Sequence, residues 1–232
     1  CHSLTGLYVA SYILPTQRLS IMTEHVEPVD FTDIYMDESM IGAVEDVLES
    51  GRYVKGPQVE TFEEEFAAQC GVEHAVGVNS GTSAIYVGLK SIGIGDGDDV
   101  FVPGHTYFAS VSPVLSLGAN PVFVDVCKDT YTIDTNDLEA KIADADNPKA
   151  VIPVHIYGQI AEMDRITEIT AEHDMHVVSD SCQAHFAEQN GAKAGSLADI
   201  GTFSFYPSKN MTVAGDGGML VTDDSKIAER AR

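Results

Sequence analysis

HAVGVNSGTSAIYVGLKSI, residues 74–92, contains the unit from which the rest of the chain is built. A short, nearly continuous apolar run, HAVGVN, passes through Ser80-Gly81-Thr82-Ser83 directly into a window with helical periodicity. The alternation continues downstream. VFVP (100–103), PVFVDV (121–126), AVIPVHI (150–156), HVVSD (176–180), IGTFSFY (200–206) and MLVT (219–222) are apolar runs set among helical windows. Alternating strands and helices imply a mainly parallel sheet covered on both faces, and strands buried on both sides read as runs of Val, Ile and Phe. The expected fold class is therefore α/β.

Upstream, DESMIGAVEDVLESG places Met40, Val44, Val47 and Leu48 at i, i+4, i+7 and i+8, with Asp37 as cap and Gly51 as stop, which predicts a helix. A second helix is expected to start at Pro57, turn Val59, Phe62 and Phe66 inward and Glu63–Glu65 mostly to water, and stop at Gly71. No repeat, low-complexity tract or Pro-rich linker interrupts residues 22–232, which are expected to form one large domain. Residues 1–21 hold a short apolar stretch, Leu7–Leu14, without a basic region before it or a small-residue cleavage site after it. They read as an upstream or non-native segment, neither signal nor anchor. The closing AERAR reads as the middle of a helix, so the expectation is a domain cut short at its C-terminal end.

Thirteen Lys and Arg against 36 Asp and Glu give a formal charge of −23. Such a surface repels phosphate backbones and anionic membranes, so nucleic-acid and membrane partners are not expected. Dense carboxylates are comfortable where molar salt shortens the Debye length to about 3 Å, which points to a halophilic setting. Cys1, Cys70, Cys127 and Cys182 are widely spaced, with neither a disulfide framework nor metal-ligand spacing, so no metal is expected and a reducing cytoplasm is the simplest location.

Ligands of open α/β sheets bind beyond the carboxyl ends of the strands. After HAVGVN, Gly81 permits close backbone approach, and Thr82 and Ser83 open a helix where an anion would be welcome, although Ser and Thr there are more often simple caps. After VFVP, Tyr107 offers a flat ring; after HVVS, Asp180 is an acid at the mouth of an apolar strand; after the SFYPS run stands Lys209, next to a glycine cluster. A P-loop signature is absent. Together these places meet the demands of pyridoxal phosphate: an amine for a Schiff base, an acid for the pyridine nitrogen, an anion nest from Thr82, Ser83 and Ser204, and a plate for the ring.

GRYVKGPQVETFEEEFA, VNSGTSAI, GIGDGDDVFVP, GANPVFVDV, AVIPVHIYGQIAEMD, SDSCQAH and SFYPSKNMTVAGDGGMLVTDD together resemble the DegT/DnrJ/StrS-type sugar aminotransferases, in order over roughly 30–224. The resemblance implies a three-layer large domain of a fold-type I pyridoxal-phosphate transferase, assembled as a homodimer and normally followed by a smaller C-terminal domain, which this chain is expected to lack. It implies that Lys209 is the Schiff-base lysine, Asp180 the pyridine-nitrogen acid, Gln183 the partner of the cofactor O3′, Gly81, Thr82, Ser83 and Ser204 the phosphate neighbourhood, and Tyr107 the stacking ring. It further implies a keto-sugar nucleotide as substrate and glutamate as the usual donor. Relatives with histidine at the lysine position are dehydratases, so Lys209 favours amino transfer. Another lyase or a desulfurase of the same fold, or a catalytically silent regulatory protein, are the competing readings; a desulfurase needs a mobile cysteine near the site, and the silent reading predicts loss of Lys209 or Asp180.

The charge imbalance predicts a melting temperature that rises as KCl is taken from low to molar concentration, because screening relieves repulsion between carboxylates. A salt-independent melting temperature, read by calorimetry, contradicts the halophilic expectation.

Overall fold

The computed structural model describes residues 34–232. The expected segment 1–21 and residues 22–33 lie outside the described residues. Helix α1 (Glu38–Ser50) begins where Asp37 accepts the Met40 amide and ends at Gly51, whose φ of 69° is open to glycine. Helix α2 (Pro57–Cys70) carries Pro at its first position and stops at Gly71. The chain then alternates as expected: β1 (His74–Val78), α3 (Gly81–Ser91), β2 (Asp99–Pro103), α4 (Ser112–Ser116), β3 (Asn120–Val124), α5 (Thr135–Ala143), β4 (Pro148–Val151), α6 (Met163–Glu172) and β5 (His176–Asp180). A short hairpin of β6 (Glu188–Gln189) and β7 (Ala192–Lys193) precedes β8 (Ile200–Ser204), β9 (Gly218–Thr222) and α7 (Ser225–Ala231).

Seven strands form one sheet in the order β1-β9-β8-β5-β4-β2-β3. The pairs β2/β3, β2/β4, β4/β5 and β5/β8 are parallel. Strand β9 runs antiparallel to both its neighbours, β1 and β8, and so joins β1 to the rest of the sheet. Buried Asp99 helps hold the strand starts in place: its carboxylate accepts Asn120 Nδ2 at 2.7 Å and the Asn147 amide at 3.1 Å.

Alternation along the strands splits the core between two faces. On one face Val100, Val102, Ala150, Ile152, Val178, Ile200 and Leu220 meet Ile85 and Leu89 of α3, Val114 of α4 and Ile227 of α7. On the other, Phe101, Val151 and Val177 meet Leu138 and Ile142 of α5 and Ile166 and Ile169 of α6. Further along that second face, Phe66 of α2 packs edge-on against Phe203 and Phe205 at centroid distances of 5.0 and 5.5 Å. The result is the expected three-layer arrangement.

One local expectation is corrected. Glu63 is buried rather than solvated: one carboxylate oxygen accepts the Gly77 amide at 2.7 Å and the other meets Arg232 at 2.9 Å, so α2 caps β1, a strand at the sheet edge. In α1 no residue is buried, and Met40, Ile41, Val44 and Leu48 remain exposed despite their helical spacing.

Phe66→Ala should lower unfolding stability by about 3–5 kcal/mol, since it empties the centre of the aromatic cluster. Urea denaturation measures this; a loss under 1 kcal/mol would show that the cluster collapses around the gap.

Candidate active site

A cavity of about 500 Å³ opens at the carboxyl edge of the sheet, where α3 starts and where β5 and β8 end. Lys209, Asp180, Gly81, Thr82, Tyr107, Gln183 and Ser204 all line it. These residues span the chain from position 81 to 209, and the parallel topology returns each to the same edge.

At the start of α3, Ser80 is the cap. Its Oγ accepts the Ser83 amide at 3.1 Å and donates to Ser83 Oγ at 3.0 Å. Ser83 shares that cap and is not among the residues lining the cavity, whereas Gly81, Thr82 and Ser204 are. The first amides of a helix have no acceptor within it, which leaves those of Gly81 and Thr82 for an anion. Glycine at 81 is a steric necessity: a Cβ there would stand 2.6 Å from Ser204 Cβ and 2.8 Å from Cys182 Sγ.

Asp180 ends β5 and is buried. Ser110 donates to its Oδ2 at 2.7 Å, and the Cys182 amide donates to Oδ1 at 3.1 Å. Because the Ser110 proton is spent on Asp180, the 2.7 Å contact between Thr106 and Ser110 has Thr106 as donor. A directed chain of hydroxyls thus holds the carboxylate. Thr106 and Ser110 were not singled out in the sequence; the signal available was their position just after β2, at the same sheet edge.

Gln183 Oε1 accepts the Tyr157 amide at 2.7 Å. A backbone N–H can only donate, so the amide orientation is settled and the Gln183 NH₂ is the group free to donate. Tyr157 presents that amide from a left-handed backbone (φ 56°), and its hydroxyl meets His105 Nε2 at 3.0 Å. Tyr107 is 77% exposed at the cavity wall, and Tyr206, Ser208 and Asp216 complete the rim. Lys209 follows a turn closed by its own amide to Tyr206 O at 2.8 Å.

Cys182 also lines the cavity. Burial, aided by the Asp180 carboxylate, pushes its thiol well above the ordinary value, so it stays protonated and is a poor nucleophile. That weighs against a desulfurase. Among the described residues no group of three or more His, Cys, Asp or Glu is placed to hold a metal ion, and no helix is long and apolar enough to cross a membrane.

The fold, with a cavity at its strand ends, is shared with aminotransferases of known structure. The ketimine-bound structure of DesV from S. venezuelae superposes with a TM-score of 0.81 at 46% identity, covering 84% of this chain and 52% of that one. The chain belongs to the DegT/DnrJ/EryC1/StrS aminotransferase family, whose model matches residues 35–232. Among curated relatives, dTDP-3-amino-3,4,6-trideoxy-alpha-D-glucose transaminase of Streptomyces venezuelae is 47% identical over 190 residues, 82% of this chain and 50% of that protein. UDP-N-acetyl-3-dehydro-alpha-D-glucosamine 3-aminotransferase of Acidithiobacillus ferrooxidans is 42% identical over 196 residues, 84% of this chain and 52% of that protein. The chain thus spans about half the length of the curated relatives it matches.

Gly81→Ala should cost roughly 1–3 kcal/mol, because the added methyl meets packed atoms rather than the tip of a flexible side chain. Chemical denaturation tests it, and an unchanged midpoint would mean that α3 can withdraw from β8 freely.

Proposed function

We propose that the protein is a pyridoxal-phosphate-dependent aminotransferase that transfers an amino group, with glutamate as donor, to a keto-sugar nucleotide in amino-sugar or surface-polysaccharide synthesis. The observation that carries this reading is the convergence of Lys209, Asp180, Gln183 and the α3 N-terminus on one cavity. The residues present fit the cofactor: a glycine cradle with unclaimed helix amides for a phosphate, a buried acid, an amide oriented to donate, and a lysine.

In this reading Gly81, Thr82, Ser83 and Ser204 would hold the phosphate, Tyr107 would cover the ring, and the Gln183 NH₂ would donate to O3′. Asp180, held by Ser110 and the Cys182 amide, keeps a proton on the pyridine nitrogen through a charge-assisted hydrogen bond. When bound, pyridoxal phosphate supplies an electron sink for the pair released at the donor Cα. Lys209 Nζ anchors the cofactor and then carries the proton between the donor Cα and C4′. The relatives act on dTDP- and UDP-linked sugars by their names, which supports a nucleotide-linked acceptor here. A homodimer working in the cytoplasm, in a halophilic host given the −23 charge, completes the proposal.

Borohydride reduction of the cofactor-loaded protein followed by peptide mapping should place the pyridoxyl group on Lys209; an adduct on Lys90 or Lys193 refutes the assignment. Asp180→Asn should retain cofactor yet slow the glutamate half-reaction by roughly 100-fold or more, the scale of a group that controls protonation. Near wild-type turnover in that variant would leave Asp180 with a purely structural role.

A further inference from the structure

Pro103 ends β2, and the chain that follows closes a single 3₁₀ turn, Phe108–Ser110, in which the Ser110 amide donates to Tyr107 O at 3.0 Å. Tyr107, which opens the turn, is exposed at the cavity wall; Ser110, which ends it, is fully buried. A buried hydroxyl costs stability unless its proton finds an acceptor. Ser110 finds one 70 residues further along the chain, donating to Asp180 Oδ2 at 2.7 Å. Thr106, at 2.7 Å from the same Oγ, supplies the bond that Ser110 accepts. Both partners of Ser110 belong to the site, since Thr106 and Asp180 each line the cavity and Ser110 does not.

A carboxylate keeps one orientation when both of its oxygens are claimed. The Cys182 amide donates to Oδ1 at 3.1 Å and Ser110 to Oδ2, so turning the group about its Cβ–Cγ bond breaks both contacts. The Ser110 bond is the shorter of the two, and a second hydroxyl stands behind it. A hydrogen bond to a charged acceptor is about twice as strong as one between neutral groups, and successive bonds in a chain polarise one another.

We propose that Ser110 and Thr106 are positioning residues for Asp180. They form a two-hydroxyl relay that fixes the plane of its carboxylate, Ser110 acting on the acid directly and Thr106 acting only through Ser110. The consequence for a bound cofactor rests on the reading of Asp180 given above, in which the carboxylate must stand in line with the pyridine N–H. The orientation of the carboxylate itself does not rest on that reading.

Calorimetric titration of the cofactor-free protein with pyridoxal phosphate, and with 1-deazapyridoxal phosphate, which carries C–H in place of the ring nitrogen, separates this role from simple packing. Ser110→Ala should weaken pyridoxal phosphate about tenfold, the scale of one hydrogen bond to a charged group, and leave the deaza analogue within about twofold. Thr106→Val, which keeps the shape and removes the hydroxyl, should cost about threefold, and Thr106→Ser should recover it. The double variant Ser110→Ala/Thr106→Val should bind like Ser110→Ala alone, because the outer hydroxyl then has nothing to act through. Equal losses for both ligands would make Ser110 a packing residue, and additive losses in the double variant would mean that Thr106 touches the ligand itself. Either result overturns the proposal, as does full affinity in Ser110→Ala. If Ser110→Ala does not fold, ¹³C spectra of the aspartate-labelled, cofactor-free protein decide, with Asp180→Asn identifying the signal. The Asp180 Cγ resonance should move in Thr106→Val and return in Thr106→Ser; a resonance unmoved by Thr106→Val overturns the relay. Wild-type protein that binds both ligands equally sinks the reading of Asp180, and one that binds neither sinks the cofactor reading; in both cases the carboxylate resonance still decides the relay.

Discussion

Close contact between the first residue of α3 and the end of β8 is the constraint on which the site depends. Gly81 packs against Ser204 and Cys182 at distances that leave no room for a side chain, and Gly218 on β9 does the same from the other side, where a Cβ would lie 2.8 Å from the Gly81 amide. Two glycines on facing elements therefore let a helix terminus settle onto the strand ends. The amides of Gly81 and Thr82 are thereby brought to the cavity that Asp180 and Lys209 also line. Retreat of the helix by the width of a methyl group would part the helix amides from the half of the cavity that holds the acid and the amine.

Burial also sorts the ionisable groups around this cavity. The Cys182 thiol is pushed up and the His155 and His185 rings are pushed down, mainly by loss of water, so all three are held uncharged at neutral pH. The formally charged side chains that line the cavity are Lys209, Asp180 and Asp216. In a chain with 36 acids and 13 bases, a single lining lysine supplies all of the positive side-chain charge there. Helix amides, which carry no net charge, must then do much of the work of attracting an anion.

Much of this was legible in the sequence. Every apolar run from His74 onward became a strand in one sheet, because strands buried on both faces leave a strong apolar signal, and the residues that follow them inherit the carboxyl edge. Contacts between distant segments were not legible. Glu63 looks like one acid among three on a helix, and only the Gly77 amide of the neighbouring strand gives it a reason to be buried. Ser83 has the residue type of a phosphate ligand and also takes part in its own helix cap, a second role that local sequence does not reveal. Ser110 and Tyr157 act through the oxygen of one acid and the orientation of one amide, and neither role leaves a periodic trace. The spacing of α1 gave the helix correctly but not what its apolar side meets, since periodicity describes a face and not its partner.

The placement of β9 between β1 and β8 has a consequence for biosynthesis. On a ribosome β1 emerges early, yet the strand it pairs with, from Gly218 to Thr222, is made after all the other strands of the sheet. Until then the nascent chain can assemble the parallel strands from β3 to β8, but β1 and the helix start that follows it have no ladder to join. The corner where α3 starts is therefore completed last, by a long-range pairing that closes residues 74–222 into one loop, the kind of contact that forms slowly. During that interval Val76 and Val78 belong to an unpaired edge that is available to other chains.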